Sequence, residues 1–440
     1  MSTGNNSPRS FEVRTILIFG LATVLAACST AMSTSKADYG VASADSAAIR
    51  SDIAYLSNDR LEGRLTGTAG NDSAAAYIAR RYQFLKLKAP YPGYIQNFVA
   101  RPAARAHTGD TTGLRTQNVV AILEGSEPAL RNRYIVIGAH FDHLGRSTQY
   151  AMDPSAGDAI RNGADDNASG TAAVMQLARM LSVSRPKHSI VFVNFSGEEE
   201  GLLGSQYFVD NAPVPLDSIV AMFNFDMVGR LKDDKLFVYG TGTATELPAL
   251  VDSANLKIVP ALSIQGGGDG FGSSDHSSFY AKNIPVLHFF TDSHEDYHRA
   301  TDDVEKINAA GEARIVNLAF DMVKALDSRP ARLSFIRSTR PSRMGPSSSG
   351  SQAYLGSVPD MAAGTVPGLK LTGIRAGSPA EKGGLAAGDI IVEFGGKAVT
   401  DLQSYSDALY SHKPGDVVKV VFLRDGKRME TSVTLSTRGG

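Results

Sequence analysis

Apolar and polar positions follow two different periods along the middle of this chain. Short and nearly uninterrupted apolar runs predict buried strands over 118–123, 134–138, 189–195, 219–225, 236–239 and 285–290. Apolar residues at helical spacing predict helices within 45–88, over 168–181 and over 304–326. Strands that alternate with helices in this way predict an α/β fold, with a mostly parallel central sheet and helices on both faces.

Polar residues of the kinds that bind metal ions lie close to the ends of these apolar runs. The candidates are two histidines, His140 and His298, and four carboxylates, Asp166, Glu198, Glu199 and Asp226. Ligands of an open α/β sheet bind at the carboxyl ends of its strands, so we expect these side chains to converge on one rim. Imidazole and carboxylate groups are ligands that zinc accepts, and a site with room left for water predicts a metallohydrolase.

Three residues of these segments carry expectations of their own. Glu198 and Glu199 are neighbours, which favours a division of roles between a metal ligand and a free base. Asp142 lies two residues beyond His140 and is predicted to orient that imidazole. His143 is predicted to be structural, because the ligand set is complete without it.

Length, charge and cysteine content narrow the picture further. A chain of 440 residues is too long for one ordinary core, so two or three folded units are expected. The formal net charge is -1 and no basic patch stands out, which argues against a nucleic-acid partner. The single cysteine excludes an internal disulfide framework and a cysteine-rich metal site.

That cysteine lies at the end of an N-terminal leader. Arginines precede an apolar run over 15–27, and Leu-Ala-Ala-Cys28 at its end resembles the lipobox of bacterial lipoproteins. The resemblance implies a signal peptide over 1–27 and a lipid on Cys28 that anchors the protein to a membrane without spanning it. Ser29 in place of Asp implies sorting to the periplasmic face of the outer membrane. Residues 28–44 are rich in Ser, Ala and Thr and are predicted to be a flexible tether in the cell envelope.

Taken in order, the metal-binding segments from about residue 45 to 326 resemble the co-catalytic dizinc aminopeptidase family. These are leucyl-aminopeptidase-type zinc exopeptidases related to glutamate carboxypeptidase. The resemblance implies the zinc-exopeptidase fold, two Zn²⁺ ions and removal of N-terminal residues from peptide substrates by an activated water. It also implies that His140 and Asp226 hold one zinc, that Glu199 and His298 hold the other, and that Asp166 bridges them.

The same resemblance implies roles for residues that bind no metal. Glu198 would be the general base, and Tyr297 would donate a hydrogen bond to the tetrahedral intermediate. The peptide bond from Asp166 to Asn167 would be cis. The segment Ser274-Asp275-His276 matches one that lines the pocket in the family, with no role assigned to it.

Two other functions stay open at this point. A glutaminyl-cyclase-like acyltransferase shares the fold and much of the ligand set but works with one zinc. A peptide-binding adaptor could carry an inert hydrolase domain, although the retained Glu198 argues against an inert scaffold.

The C-terminal part of the chain has a different composition. We predict a peptidase domain over 45–329, a Ser/Pro/Arg-rich linker over 330–352 and a small β-rich unit over 353–438. This unit resembles a PDZ domain of the bacterial protease type, with Tyr354-Leu-Gly-Ser as the carboxylate-binding loop. The resemblance implies peptide C-termini as partners of the unit.

Overall fold

The computed structural model describes eleven stretches of the chain. They are residues 1–2, 4, 43–102, 113–268, 270–337, 353–359, 368–375, 377–400, 404–405, 408–409 and 411–437. Cys28 and most of the predicted leader, tether and linker lie outside the described residues. Within the described ranges, no helix is both long enough and apolar enough to cross a membrane.

Helices and strands alternate through the larger part of the chain and give way to strands near its C-terminus. The α-helices of the described residues are α1 (Ser46–Leu56), α2 (Ala69–Phe84), α3 (Gly170–Ser184), α4 (Leu203–Asp210), α5 (Leu247–Asn255), α6 (His276–Tyr280), α7 (Ala309–Asp327) and α8 (Pro379–Lys382). Strands of the first sheet are β1 (Ile95–Ala100), β2 (Leu114–Leu123), β3 (Tyr134–His140), β4 (Ser189–Phe195), β5 (Ile219–Phe225), β6 (Lys235–Tyr239), β7 (Ser263–Gly267) and β8 (Val286–Phe290). Later strands are β9 (Ala353–Tyr354), β10 (Ser357–Pro359), β11 (Leu369–Ile374), β12 (Ile390–Phe394), β13 (Lys397–Ala398), β14 (Val417–Arg424), β15 (Lys427–Thr434) and β16 (Ser436–Thr437).

The first sheet places its central strands in parallel. Its eight strands lie in the order β1-β2-β4-β3-β5-β8-β6-β7. β4, β3, β5 and β8 run parallel to one another, whereas at one side β2 runs antiparallel to β4 and β1 runs antiparallel to β2. At the other side β6 runs antiparallel to β8 and parallel to β7. The carboxyl ends of the four central strands therefore meet at one edge.

Both faces of this sheet are covered by apolar side chains, which explains why its central strands contain almost no polar residues. On one face, Ile135, Ile137 and Phe223 pack in the large core that α1, α2, α3 and α7 share. On the other face, Val136 and Met222 pack in a second core with residues of α4 and α6. Strands buried on two faces form near-continuous apolar runs, as parallel sheets require.

The α/β fold with helices on both faces is confirmed, and its central strands were predicted closely. β4 and β5 have the predicted bounds, 189–195 and 219–225. The edge strands β1 and β7 and the short helices α4 and α5 were missed. β7 consists of Ser-Ile-Gln-Gly-Gly, which has no apolar pattern, and it is a strand only because β6 supplies hydrogen-bond partners.

The closing helix begins later than the apolar pattern predicted. Residues Val304–Lys306 form a separate 3₁₀ turn, and α7 starts only at Ala309. The Asn308 side chain accepts a hydrogen bond from the N–H of Gly311 at 2.9 Å, which caps the helix at this point.

The C-terminal strands form a second, smaller unit with a core of its own. β10, β11, β12, β14 and β15 lie side by side, and β13 pairs with β12. Leu371, Ile391 and Val420 belong to an apolar cluster that is separate from those of the first sheet. The predicted β-rich unit is confirmed, while the exact domain and linker bounds stay predictions.

Candidate metal centre

The carboxyl edge of the first sheet delivers polar residues from four parallel strands. His140 is the last residue of β3, and Asp226 follows β5 directly. Glu198 and Glu199 follow β4 after a two-residue Ser-Gly turn. His298 lies in the segment after β8. Strand ends therefore bring His140, Asp226 and the two glutamates to one rim, and the segment after β8 brings His298 there.

Asp166 reaches the same rim from a different kind of element. It lies in the irregular turn Ala164–Ser169 just before α3, and its peptide bond to Asn167 is cis, as the family resemblance implied. Asp302 holds this turn, because its Oδ2 accepts from the N–H groups of Asp165 at 2.9 Å and Asp166 at 3.1 Å. The segment that carries His298 thus also fixes the backbone of Asp166.

A first group of donors surrounds His140. Its Nε2 lies 3.4 Å from Asp166 Oδ1 and 3.4 Å from Asp226 Oδ1. Glu198 Oε2 is farther away, at 4.0 Å. The imidazole and the carboxylate of Asp166 are buried, so these charges interact with little screening.

A second group surrounds His298. Its Nε2 lies 3.1 Å from Asp166 Oδ2 and 3.1 Å from Glu199 Oε2. Asp166 therefore presents one oxygen to His140 and the other to His298. This is the arrangement that a carboxylate shared between two cations requires.

The donor set fits zinc. Two groups of three donors each have their ligand atoms within 4.8 Å of one another: His140 with Glu198 and Asp226, and His143 with Asp166 and Glu199. Nitrogen and oxygen donors of this kind suit Zn²⁺, and the buried carboxylates among them need positive charge for balance.

His143 lies inside the second group, where the sequence had predicted only a structural residue. Its Nδ1 is 2.8 Å from Glu199 Oε1 and 3.8 Å from Asp166 Oδ2. His298 lies at the same distance, 3.1 Å, from both carboxylates, and it therefore remains the ligand candidate of this group. The short contact makes His143 a partner that orients Glu199. The motif Asp-His-Leu-Gly carried no signal for this, because the contact joins residues 56 positions apart.

A set of outer contacts orients the candidate ligands. His140 Nδ1 lies 3.2 Å from the backbone oxygen of Asp142 and 3.7 Å from its carboxylate. The carboxylate instead accepts from the Glu198 N–H at 3.2 Å and from the Thr66 hydroxyl at 2.9 Å. Asp142 thus contacts His140 through its main chain, and its side chain positions the turn that carries Glu198.

The segment Ser274-Asp275-His276 also borders the centre. The Ser274 hydroxyl donates to Asp226 Oδ2 at 2.7 Å, on the oxygen that faces away from His140. Burial raises the pKa of Asp275 to about 7. His276 is buried and stacks on His288, with ring centroids 4.5 Å apart. Ser274 therefore fixes a candidate ligand, and its two neighbours lie in the wall beside it.

Charges within the centre depend strongly on one another. Burial opposes a charge on His298, but Glu199 and Asp166 outweigh it and raise the pKa of His298 to about 10. Burial likewise opposes ionisation of Glu199, yet His298 lowers the pKa of Glu199 to about 2. Burial raises the pKa of Glu198 well above its ordinary value. The charges of Glu199 and Asp226 raise this pKa further, whereas His140 lowers it. A cation entering this centre would displace protons from the histidines, which couples metal binding to pH.

Tyr297 lies beside the centre on the segment of His298. Its ring stacks on His298 with a centroid distance of 3.9 Å. Burial raises the pKa of Tyr297 well above its ordinary value, and the carboxylates of Asp166 and Glu199 add to the rise. The phenol therefore stays protonated and available as a hydrogen-bond donor.

Arg64 connects backbone segments that include candidate site residues, although no role was predicted for it. Its buried guanidinium donates to the backbone oxygens of Leu56 at 2.6 Å, Phe141 at 2.7 Å, Asn162 at 2.6 Å and Gly163 at 3.0 Å. Two of the segments it joins carry candidate site residues. Burial lowers the pKa of Arg64 to about 10, so the cation persists at neutral pH. An arginine in a Gly-rich turn gives no sequence signal for contacts that lie up to 99 residues away.

An α/β sheet whose carboxyl edge gathers histidines and carboxylates in two groups defines a metallohydrolase-type domain. Residues 118–323 match peptidase family M28, and residues 345–435 match the PDZ domain family. The chain therefore carries one stretch that is similar to M28 peptidases and a second, C-terminal stretch that is similar to PDZ domains.

Solved structures show the same fold. A Zn-dependent exopeptidase from Parabacteroides distasonis superposes with a TM-score of 0.55 at 19% identity, over 65% of this chain and 99% of that one. A leucine aminopeptidase precursor from Bacteroides thetaiotaomicron superposes with a TM-score of 0.54 at 18% identity, over 65% and 98% of the two chains. At this identity the likeness establishes the fold.

Curated relatives match over shorter stretches. A probable zinc metalloprotease of Pyrenophora tritici-repentis is 39% identical over 132 residues, which are 28% of this chain and 29% of that protein. Leucine aminopeptidase 2 of Arthroderma otae is 30% identical over 183 residues, which are 40% and 34% of the two chains. The matched part spans only about a third of the length of these relatives, or less.

Proposed function

We propose that this protein is a zinc-dependent exopeptidase, and specifically an aminopeptidase that uses two zinc ions to remove N-terminal residues from peptides. The observation that carries the proposal is the shared position of Asp166 between His140 and His298, 3.4 Å and 3.1 Å away. The domain family and the names of the relatives, a zinc metalloprotease and a leucine aminopeptidase, support the same activity.

The chain's own residues divide into two ligand sets. His140 and Asp226 would hold one zinc, Glu199 and His298 would hold the other, and Asp166 would contact both. When bound, the ions would polarise the substrate carbonyl and lower the pKa of water.

Glu198 is proposed as the general base because its carboxylate lies 4.0 Å from His140 Nε2, farther than the oxygens of Asp166 and Asp226 at 3.4 Å. Burial and its acidic neighbours raise its pKa well above the ordinary value, which brings a carboxylate nearer the proton affinity that acid–base catalysis needs. Its carboxylate would take a proton from the attacking water and return it to the leaving amine.

Tyr297 is proposed to stabilise the tetrahedral intermediate. Its phenol remains protonated beside four carboxylates, so it can donate a hydrogen bond to the developing oxyanion. No observation at the site favours a glutaminyl-cyclase-like acyltransferase or an inert adaptor.

The adjacent glutamates provide the test of this proposal. Glu198→Gln keeps the shape of the side chain but cannot accept a proton, so kcat on aminoacyl anilides should fall by about 10²–10⁴ while bound zinc is retained. Glu199→Ala removes a ligand and should lose zinc first, with partial rescue by excess zinc. Glu200→Gln, on the next residue, serves as the control and should stay near the parent protein. Zinc rescue of Glu198→Gln, or normal zinc content in Glu199→Ala, would contradict the assignment.

We further propose that the chain is held in the cell envelope by a lipid on Cys28, at the periplasmic face of the outer membrane. The support is the sequence of the leader, with its apolar run ending in Leu-Ala-Ala-Cys. We also propose that the PDZ domain binds peptide C-termini at the loop Tyr354-Leu-Gly-Ser. Gly356 in this loop has a φ of 82°, so its N–H can turn toward a carboxylate.

A further inference from the structure

A short segment beside the metal centre is bound closely to His298. This segment, residues 147–153, is called the rim loop below. His298 Nδ1 donates to the backbone oxygen of Tyr150 at 2.9 Å, and the Met152 N–H donates back to the oxygen of His298 at 2.9 Å. The Ala300 N–H donates to Asp153 Oδ2 at 2.9 Å, so a third hydrogen bond joins the rim loop to the segment that carries His298.

The orientation of His298 therefore depends on where the rim loop lies. The imidazole has two nitrogens, and the loop holds Nδ1 while Nε2 faces Asp166 and Glu199 at 3.1 Å. A partner on the second nitrogen fixes the tautomer and the ring angle of a ligating histidine. A shift of the Tyr150 carbonyl would turn Nε2 away from the carboxylates.

Arg375 of the PDZ domain also binds the rim loop, through hydrogen bonds to two of its backbone oxygens. Its Nη1 donates to the oxygen of Gln149 at 2.7 Å, and its Nη2 donates to the oxygen of Thr148 at 2.7 Å. These carbonyls immediately precede Tyr150. Two parallel N–H groups on two successive carbonyls are a fork contact that the planar guanidinium provides and a lysine ammonium does not.

Arg375 is itself fixed within the PDZ domain. Its backbone N–H donates to the oxygen of Gly356 at 2.8 Å. Its guanidinium lies over the Tyr354 ring, 5.9 Å from the centroid, and Nη1 is 3.4 Å from the Tyr354 hydroxyl. Arg375 thus joins the loop Tyr354-Leu-Gly-Ser to the rim loop through one side chain.

We propose that Arg375 is a positioning residue for the metal centre: by holding the rim loop, the PDZ domain sets the orientation of His298 toward its metal. The inference rests on the proposed function only in so far as His298 binds a metal ion. Loss of a direct partner of a ligating histidine typically weakens metal binding by about 10–100-fold. Arg375 acts one step farther away, so we expect about a threefold to tenfold loss of zinc affinity when it is removed.

Zinc affinity of the full chain, measured by competition with a chromogenic chelator, tests the proposal. Arg375→Ala should weaken zinc binding by the stated factor, and Arg375→Lys should fall in between. Arg428→Ala is the matched control, because Arg428 is an exposed arginine of the same domain that forms an ion pair with Glu393, at 3.3 Å, far from the rim loop in sequence. It should leave zinc affinity unchanged.

A double-mutant cycle separates positioning from a general loss of structure. In the His298→Ala background, Arg375→Ala should cause no further loss of zinc, because the ligand that it orients is gone. Hydrogen–deuterium exchange of the metal-free protein should rise in the rim loop in Arg375→Ala and remain unchanged in Arg428→Ala. In turnover, Arg375→Ala should lower kcat at limiting zinc, and excess zinc should restore it.

The outcomes distinguish this proposal from the proposed function. Unchanged zinc affinity in Arg375→Ala would overturn the positioning role. So would a loss on adding Arg375→Ala to His298→Ala that equals the loss in the parent protein. Neither result would contradict the peptidase activity. A parent protein that binds zinc but does not hydrolyse any aminoacyl anilide overturns the proposed function, and the zinc measurements still decide the role of Arg375.

Discussion

Replacing Arg64 should damage both the stability and the metal centre of the peptidase domain. The side chain makes four buried hydrogen bonds to backbone oxygens, at 2.6 to 3.0 Å. Hydrogen bonds from a charged donor contribute about 2 kcal/mol each, so Arg64→Ala forfeits about 8 kcal/mol. Hydrogen bonds made by one side chain are not fully additive, so the loss is smaller than this sum. A net loss of about 5 kcal/mol in unfolding free energy is expected.

Chemical denaturation of the metal-free protein, followed by circular dichroism, measures this loss without a contribution from zinc. Arg64→Lys keeps the charge but lacks the fork of donors, so it should lose about 2–3 kcal/mol. Arg60→Ala is the control from the same turn, because Arg60 is exposed, and it should change stability by less than about 0.5 kcal/mol. A loss under about 1 kcal/mol for Arg64→Ala, or one equal to that of Arg60→Ala, would refute the reasoning.

Three other predictions concern metals, pH and the envelope. Asp166→Ala should lose far more zinc than Asp165→Ala by metal analysis, since Asp165 contacts Gly229 and His294 instead of the candidate ligands; equal losses would mean that the shared carboxylate is misassigned. Burial opposes ionisation of Asp327, but hydrogen bonds from His188 and Lys187 lower its pKa in the folded protein. Its contribution to stability is therefore full above about pH 4 and is lost as the pH falls through the lowered folded pKa, so denaturation curves of Asp327→Asn should lack this acid-dependent part. Cys28→Ser should leave the membrane fraction on cell fractionation, and an unchanged membrane fraction would rule out the lipid anchor.

The sequence alone determined the elements whose pattern is local. β4 and β5 were predicted with their full bounds, because a strand buried on both faces must be apolar throughout. The order of strands and helices then predicted the parallel sheet, and the parallel sheet predicted where His140 and Asp226 would meet. The candidate metal-binding rim could be predicted because most of its residues lie next to a strong local signal.

Only the tertiary structure decided the contacts that connect distant segments. Arg64, His143 and Arg375 carry no local pattern, and their partners lie far away along the chain. A guanidinium finds its carbonyls through the packing of whole elements, and periodicity in one segment contains no information on which carbonyl will be there. The edge strand β7 could not be predicted for the same reason, because pairing with β6 and not a pattern of its own side chains makes it a strand. Sequence therefore determined which residues gather at the rim, and the tertiary structure determined which residues hold them there.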